Sequence, residues 1–318
     1  MEEGKWRAIA VMGAGAVGCY FGGLLARAGA PVTLIGRPHH VEAINRDGLF
    51  VESLHFRQHI PVSASTDVAA VRGAQVVLLC VKSPDTEDAA RALAPHLASG
   101  TIVVSLQNGV DNAERFRSAV GIEAIPAVVY VAAEMTAPGR VKHSGRGDLI
   151  LGTLSGQDRG GPSRRQLEDL AAVFARAGVP CQVSENIEAD LWTKLIMNCA
   201  YNAISALSRA RYGRIVRNPG MRDVMRQVTD EAIAVARASG VRFPDVDPVE
   251  AVFKLGEAMT NALSSTAQDI GRGKRTEIDS LNGYVARRGA ELGIATPVNQ
   301  TLHALVKLLE EPASDTAP

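Results

Sequence analysis

Residues 7–18, RAIAVMGAGAVG, join a strand-forming run to a helical pattern through a glycine-rich turn. The run RAIAVMG predicts a buried β-strand, and the following AVGCYFGGLLARAG predicts a helix rich in small residues. Three glycines occupy the turn at the spacing G-x-G-x-x-G: Gly13, Gly15 and Gly18. A second strand, PVTLIG, ends roughly 20 residues later, and this context favours a dinucleotide-binding turn over a purely structural one.

Each glycine of this loop has its own expected role. Gly13 permits the tight turn, Gly15 lets the backbone approach a pyrophosphate, and Gly18 lets the helix pack closely on the strand. The N–H groups at the start of the helix, with the positive end of its dipole, favour an anion. The predicted cofactor-binding residues of the loop are Gly13, Ala14, Gly15, Ala16, Val17 and Gly18.

The end of the second strand indicates which dinucleotide binds. NAD-preferring sites usually carry Asp or Glu there, which accepts a hydrogen bond from the ribose 2′-hydroxyl. This chain reads LIGRPHH, with Arg37 and no acid. A guanidinium pairs well with a 2′-phosphate, so the sequence favours NADP(H) over NAD(H), with an exposed loop arginine as the alternative. His39 and His40 are expected to point apart in an extended loop, as solvated residues.

The composition narrows the classes of protein that fit. Thirty-four basic residues balance 34 acidic ones, and no basic stretch is interleaved with aromatics, which argues against nucleic acid and anionic membranes as partners. No apolar run approaches the ~20 residues of a membrane span, and we see no signal peptide. The four cysteines form no C-x-x-C pair, which favours reduced core thiols over a disulfide or metal site. We therefore expect a soluble, cytoplasmic protein without a metal.

The character of the sequence changes near residue 186. Before it, Val/Ile/Leu runs alternate with helical patterns, which predicts a parallel sheet covered on both faces. The run GRVKHSGRGDLILGTL predicts a hairpin around Ser-Gly-Arg-Gly at the far edge of that sheet. Ala-rich helical patterns then follow at 187–208, 221–239, 249–270, 276–293 and 298–311. The prediction is an α/β fold: an N-terminal Rossmann-type doubly wound domain over 5–185, an all-helical C-terminal domain over 186–312, and a frayed tail at 313–318.

The first helix of the second half carries an unusual stripe. Lys194, Asn198 and Asn202 fall at i, i+4 and i+8, so their side chains share one face. Asparagine forms helices poorly, and a solvated face would favour Glu, Lys and Arg instead. The stripe therefore points either to a functional site or to a surface lysine above helix–helix hydrogen bonds.

With a glycine-loop domain first and LWTKLIMNCAYNAISAL opening a helical domain, the chain resembles the ketopantoate reductases (2-dehydropantoate 2-reductases) over nearly its whole length. Further motifs carry the resemblance: CVKS around Lys82, LQNGV around Asn108, and SSTAQDIGRGKRTEIDSLNG near the C-terminus. The glycine loop is common to many dehydrogenases, whereas the lysine–asparagine helix with the last motif is much more specific. The resemblance implies NADPH-dependent reduction of 2-dehydropantoate to (R)-pantoate, yielding NADP+, in pantothenate and coenzyme A biosynthesis.

The resemblance also implies how the substrate is held. Lys194 is expected to be the general acid that protonates the ketone oxygen. Asn198 and Asn202 are expected to hold the substrate's oxygens, with Ser265 on its carboxylate. The chemistry is consistent, because an ammonium neutralises the charge that develops on the oxygen, and amides position the substrate without adding a charge.

Three further residues are assigned by the resemblance. Glu277 is expected to contact the cofactor and orient the site, although Thr276 as a helix cap with Glu277 at the helix dipole is the structural alternative. Asn108, after a sheet strand, is expected to touch both nicotinamide and substrate. Lys82 is expected near the cofactor's ribose and phosphates.

Two positions depart from the family pattern. Tyr212 and Ala262 stand where the best-known members carry asparagines, although Asn261 is a neighbour. A related NADP-dependent reductase of another 2-keto acid or an imine is therefore the alternative, and a non-catalytic NADP(H)-sensing protein is a third, which the Lys/Asn stripe argues against. We expect a small-molecule substrate, and the apolar helical domain favours a homodimer.

Overall fold

The computed structural model describes residues 7–155, 161–244 and 248–311, and the chain divides into two compact units. The division falls after Ile187, and the short segment Asn108–Val110 groups with the second unit. The tail expected at 313–318 lies outside the described residues. Among the described helices, none has the length and apolar character needed to cross a membrane.

A ten-stranded mixed sheet runs through the described part of the first unit. Its strands are β1 Ile9–Met12, β2 Val32–Ile35, β3 Leu49–Glu52, β4 Arg57–Ile60, β5 Ser63–Ser65, β6 Val76–Leu79, β7 Ile102–Ser105, β8 Ala124–Ala137, β9 Arg140–Leu151 and β10 Cys181–Val183. Their order is β4-β3-β9-β8-β7-β6-β1-β2-β5, with β10 paired to β9. The run from β5 to β8 is parallel, whereas β3–β4 and β8–β9 are antiparallel pairs.

Helices cover both faces of this sheet. They are α1 Ala16–Arg27, α2 Pro38–Asp47, α3 Thr86–Leu93, α4 Asn112–Val120 and α5 Arg164–Arg176. Side chains along a strand alternate between two apolar clusters: Val11 belongs to the cluster of Phe21, and its neighbour Ala10 to the cluster of Phe116. Burial on both faces explains the continuous apolar runs of the sequence and confirms the predicted fold class.

The hairpin expected within GRVKHSGRGDLILGTL is wrong. β9 runs without a break from Arg140 to Leu151, and the turn precedes it at Pro138 and Gly139. β9 also lies between β3 and β8 rather than at an edge. The Ser-Gly-Arg-Gly segment is absorbed by register shifts in the β8–β9 ladder, where Arg146 has a φ of 54°. Glycine in a strand thus marks a bulge here instead of a turn.

The second unit is helical over its described residues. Its helices are α6 Ile187–Ser208, α7 Tyr212–Arg217, α8 Pro219–Ala238, α9 Pro248–Ala258, α10 Ser265–Gly271, α11 Asn282–Glu291 and α12 Pro297–Glu310. The helix expected over 249–270 is broken, because Ser264 accepts the N–H of Ala267 and starts α10 as a separate helix. The helix expected over 276–293 begins only at Asn282, because the residues before it form a 3₁₀ turn, Ile278–Ser280. The short helix α7 was not expected.

Candidate active site

The glycine loop has the geometry that its spacing predicts. Gly13 adopts a φ of 112°, and a Cβ there would lie 2.7 Å from the backbone carbonyl carbon of Cys80. A Cβ at Gly18 would collide with the carbonyl oxygen of Gly13. A Cβ at Gly15, in contrast, would meet nothing within 4 Å, and no side chain caps α1 at this residue. The space beside Gly15 and the first N–H groups of α1 is therefore open to an anionic ligand.

The loop is tied to the end of β2. The N–H groups of Gly13 and Ala14 donate to the carbonyl of Ile35 at 3.0 and 2.8 Å. A Cβ at position 36 would lie 2.6 Å from the Cβ of Ala14, so glycine at this position leaves the room that the loop needs. The first turn of α1 holds the remaining predicted loop residues, Ala16 and Val17.

Arg37 follows this junction directly. It is exposed, stands at the N-terminal cap of α2, and makes no capping hydrogen bond with its side chain. The expectation for His39 and His40 is wrong: both lie in the first turn of α2, with ring centroids 4.2 Å apart. Pro38 explains the difference, because its fixed φ starts a helix where a loop was expected. No group of three or more His, Cys, Asp or Glu side chains among the described residues could hold a metal ion.

Buried polar side chains fix the loops after β6 and β7. The amide of Gln107 donates to the carbonyl of Val81 at 3.1 Å and to the hydroxyl of Thr86 at 2.8 Å. Lys82 follows β6 and stands at the N-cap position of a 3₁₀ turn, without a capping hydrogen bond from its side chain, while Asn108 follows β7. Both predicted residues thus come directly after the carboxyl ends of neighbouring parallel strands, where α/β sheets bind ligands.

Asn108, Lys194 and Glu277 form a continuous hydrogen-bonded series, which we call the relay. Nζ of Lys194 donates to Oδ1 of Asn108 at 2.9 Å, and Nδ2 of Asn108 donates to Oε2 of Glu277, also at 2.9 Å. The amide has one possible orientation, because an ammonium offers only donors and a carboxylate only acceptors. All three side chains are half-buried, which strengthens such bonds.

A second group lies further along the same face of α6. Nδ2 of Asn202 is 3.4 Å from the hydroxyl oxygen of Ser265, to which it donates. The hydroxyl of Ser264 donates to the carbonyl of Asn202 at 3.2 Å and holds the start of α10 there. Asn202 is buried, whereas Ser265 is exposed and Asn198, one turn earlier, is half-buried. The structure thus pairs Asn202 with Ser265 and places Asn198 on the face between that pair and Lys194.

Tyr201 and Tyr212 form a stacked aromatic pair that was not predicted from the sequence. Tyr201 lies seven residues after Lys194, a spacing that should have placed it on the stripe. It is fully buried, and its hydroxyl donates to the carbonyl of Val252 at 2.8 Å. Tyr212 stacks on it with centroids 4.2 Å apart, and the N–H of Tyr212 donates to the carbonyl of Ala262 at 3.0 Å. The two positions that depart from the family pattern are therefore neighbours.

Burial makes the phenol of Tyr212 a weaker acid than an exposed tyrosine. Burial raises the pKa of Tyr212 to about 12, so near neutral pH the hydroxyl is an uncharged donor. An aromatic ring and a neutral hydroxyl thus replace amide chemistry at this end of the stripe.

Comparisons with known proteins cover both units. The family model described as ketopantoate reductase PanE/ApbA matches residues 9–156, and that described as ketopantoate reductase PanE/ApbA C terminal matches 186–310. A 2-dehydropantoate 2-reductase from Pyrococcus horikoshii is 36% identical over 304 residues, which covers 95% of this chain and 97% of the relative.

Solved structures agree with these matches. A PanE/ApbA family ketopantoate reductase from Ralstonia eutropha JMP134 is 53% identical with a TM-score of 0.88, and the match covers 95% of this chain and 98% of that one. The 2-dehydropantoate 2-reductase from Geobacter metallireducens GS-15 is 30% identical with a TM-score of 0.88, and the match covers 95% and 99% of the two chains. The chain therefore belongs to the ketopantoate reductase PanE/ApbA family.

Proposed function

We propose that this enzyme reduces 2-dehydropantoate to (R)-pantoate with NADPH, a step of pantothenate and coenzyme A biosynthesis. The observation that carries the proposal is the relay, which holds an ammonium at a defined position on the stripe. Membership of the family and the activity named for its relatives support the choice of substrate.

NADPH fits the residues of the first unit. The open space beside Gly15 and the uncapped start of α1 suit a pyrophosphate. The exposed Arg37, in the segment LIGRPHH that contains no acid, suits a 2′-phosphate, and Lys82 suits the ribose and phosphates. When bound, this cofactor supplies the hydride that reduces the carbonyl carbon.

Lys194 donates the proton in this proposal. Negative charge develops on the ketone oxygen as its carbon is reduced, and the ammonium both stabilises that charge and protonates the oxygen. Asn108 and Glu277 fix the position of Nζ, since each step of the relay pairs a donor with an acceptor. Lys194 is left as a neutral amine and takes up a proton from water before the next turnover.

The remaining predicted residues hold the substrate. Asn198 and Asn202 offer amide donors and acceptors to its carbonyl and hydroxyl oxygens, without adding a charge that competes for the proton. Ser265, exposed at the start of α10 beside Asn202, donates to the carboxylate.

A second candidate substrate is another 2-keto acid, with an apolar tail. The half-buried ring of Tyr212 favours it, because an aromatic ring offers apolar contact where the amide of an asparagine would offer hydrogen bonds. A protein that only senses NADP(H) has no use for the relay, so we do not favour that role.

The deciding experiment follows the absorbance of reduced nicotinamide with NADPH and three substrates. These are 2-dehydropantoate, its analogue without the hydroxyl (3,3-dimethyl-2-oxobutanoate), and phenylglyoxylate. We expect kcat/KM for 2-dehydropantoate to exceed that for the analogue by at least ~10-fold, because a site built for a hydroxyl rejects a ligand lacking it. A higher kcat/KM for 3,3-dimethyl-2-oxobutanoate or phenylglyoxylate than for 2-dehydropantoate favours the second candidate. If none of the three substrates causes oxidation of NADPH, both candidates are contradicted.

We further propose that the enzyme is a cytoplasmic homodimer. Four free thiols, with burial raising the pKa of Cys19 and Cys181 to about 12, suit a reducing compartment. Leu305, Leu308 and Leu309 expose an apolar strip on α12 that a second copy could cover. Light scattering after size-exclusion chromatography measures the mass, and a monomer at micromolar concentration contradicts the dimer.

A further inference from the structure

Thr276, the residue before Glu277, is hydrogen-bonded to Glu310 at the C-terminal end of α12. Thr276 is fully buried, and both its N–H and its hydroxyl donate to Oε1 of Glu310, each at 2.6 Å. The same hydroxyl accepts the N–H of Ile278 at 3.2 Å, so Thr276 fixes the chain on both sides of Glu277. The side chain of Glu310 is only 11% exposed, and hydrogen bonds to a shielded carboxylate are strong.

Lys307 extends this fastening to the next turn. Its ammonium donates to Oε2 of Glu310 at 2.6 Å and to Oδ2 of Asp279 at 3.1 Å. Nε2 of His303 lies 2.7 Å from the other oxygen of Asp279. Thr276 and Asp279, which lie on either side of Glu277 in the sequence, are therefore both held by side chains of α12. We call residues 276–279 the fastened turn.

The backbone of Glu277 lies in the fastened turn, and its side chain is part of the relay. Its carboxylate accepts from Nδ2 of Asn108, and that bond turns Oδ1 of Asn108 toward Lys194. We propose that Thr276 and Glu310 are positioning residues, which hold Glu277 against Asn108 and so keep the ammonium of Lys194 in place. This inference rests on the proposed function, because its effect on rate passes through Lys194.

The physical reason is that Asn108 is held from both ends of its carboxamide. If Glu277 shifts, Asn108 loses the carboxylate that accepts from its Nδ2, and its Oδ1 no longer holds the ammonium of Lys194 at a fixed position. A misplaced acid slows the chemical step, since a displacement of about 1 Å costs on the order of 10²-fold at worst. Binding of the keto acid should change less than the rate, because Asn202 and Ser265, which hold it in the proposed function, pair with each other outside the fastened turn.

The test compares the two ends of one helix. α12 begins with the N–H groups of Val298 and Asn299 donating to Glu231, each at 2.9 Å, and it ends at Glu310. Glu231→Ala and Glu310→Ala should both lower the free energy of unfolding. Only Glu310→Ala should lower kcat, by about tenfold, with KM for the keto acid changed less than about threefold.

Conservative variants separate positioning from simple destabilisation. Glu310→Gln keeps an acceptor oxygen for Thr276, although its NH₂ group then faces Lys307, and it should retain clearly more of kcat than Glu310→Ala. Thr276→Val removes the hydroxyl at similar volume and should lose about tenfold, whereas Thr276→Ser should restore most of the rate. If Thr276→Val does not fold, the two glutamate variants decide alone.

Two results overturn the inference. One is an equal loss of kcat in Glu231→Ala and Glu310→Ala, and the other is a Glu310→Ala variant within about twofold of the wild type. The proposed function is judged separately, by whether the wild type reduces 2-dehydropantoate. If it prefers another keto acid, the same variants are compared on that substrate.

Discussion

Lys194 donates a 2.9 Å hydrogen bond to Asn108, a residue 86 positions earlier in the chain. Asn108 follows a strand of the first unit, yet it groups with the helical unit, where Glu277 accepts its other hydrogen bond. The proposed acid is thus held by a residue that the helical half of the sequence does not contain.

Lys194→Ala should lower kcat by about 10²–10⁴-fold, the usual contribution of a general acid. The affinity for NADPH, measured by fluorescence titration, should stay nearly unchanged because the glycine loop is untouched. Lys254→Ala is the matched control, since Lys254 is an exposed lysine of the same unit, 70% accessible and paired with Glu250. A Lys194→Ala enzyme that keeps a third of its turnover would show that the lysine is structural.

Arg37→Ala should weaken NADPH and leave NADH almost unaffected. Loss of a charge-assisted contact to the 2′-phosphate costs on the order of 1.5–3 kcal/mol, about ten- to a hundredfold in Kd. Arg46→Ala serves as the control, because Arg46 is an exposed arginine of the same helix and pairs with Asp47. Equal losses for both cofactors would mean that Arg37 does not read the 2′-phosphate.

The glycines of the loop should fail in different ways. Gly18→Ala should destabilise the protein, because its Cβ collides with the carbonyl of Gly13. Gly15→Ala should fold normally, since its Cβ has open space, but should bind NADPH poorly because that space is needed by the pyrophosphate. Thermal unfolding without and with NADPH separates the two effects. A Gly15→Ala variant stabilised by NADPH as much as the wild type contradicts the assigned cofactor site.

The ionised carboxylate of Asp279 should make the free energy of unfolding decrease at acidic pH. The hydrogen bond from His303, aided by Lys307 and despite burial, holds the pKa of Asp279 well below its usual range, and Arg275 lies 3.6 Å away. A lowered folded-state pKa means that this stabilisation is complete above the unfolded value of 3.8 and is lost as the pH falls below it.

Urea unfolding at pH 7 and pH 3 measures the first part of this loss, which we expect to be about 1 kcal/mol, because pH 3 lies less than one unit below 3.8 and each unit costs about 1.4 kcal/mol. Asp279→Asn should reduce the difference between the two pH values by about this amount, and the rest comes from other carboxylates with a lowered pKa, such as Glu87 and Glu310. Asp88→Asn, at an ion pair whose Asp88 side chain is 89% exposed, should not. An unchanged pH dependence in Asp279→Asn would be evidence against the assignment.

Local patterns in the sequence predicted the parts of the fold that depend on neighbouring residues. The strand–loop–helix around Gly13 and the helix that carries Lys194 follow from periodicity and from glycine's conformational freedom. β9 was misread because a bulge and a turn share the same glycine signal, and only the pairing with β8 decides between them.

The remainder of the candidate site depends on contacts between distant positions. Thr276 and Glu310 are 34 residues apart, and nothing in either local sequence indicates that they meet. The stack of Tyr201 on Tyr212 likewise requires α7, a helix too short for its periodicity to be recognised. Such contacts arise from tertiary packing, which one sequence does not encode in its spacing.

The grouping of Asn108–Val110 with the helices limits how this enzyme can be taken apart or recombined. A fragment starting at Glu188 would keep Lys194 and Glu277 but lose the amide that joins them, along with Val110 from its apolar core. A chimera that took its helical half from a relative would combine that relative's helices with Asn108 of this chain. The transferable module is therefore discontinuous, and grafting it requires the loop after β7 to travel with the helices.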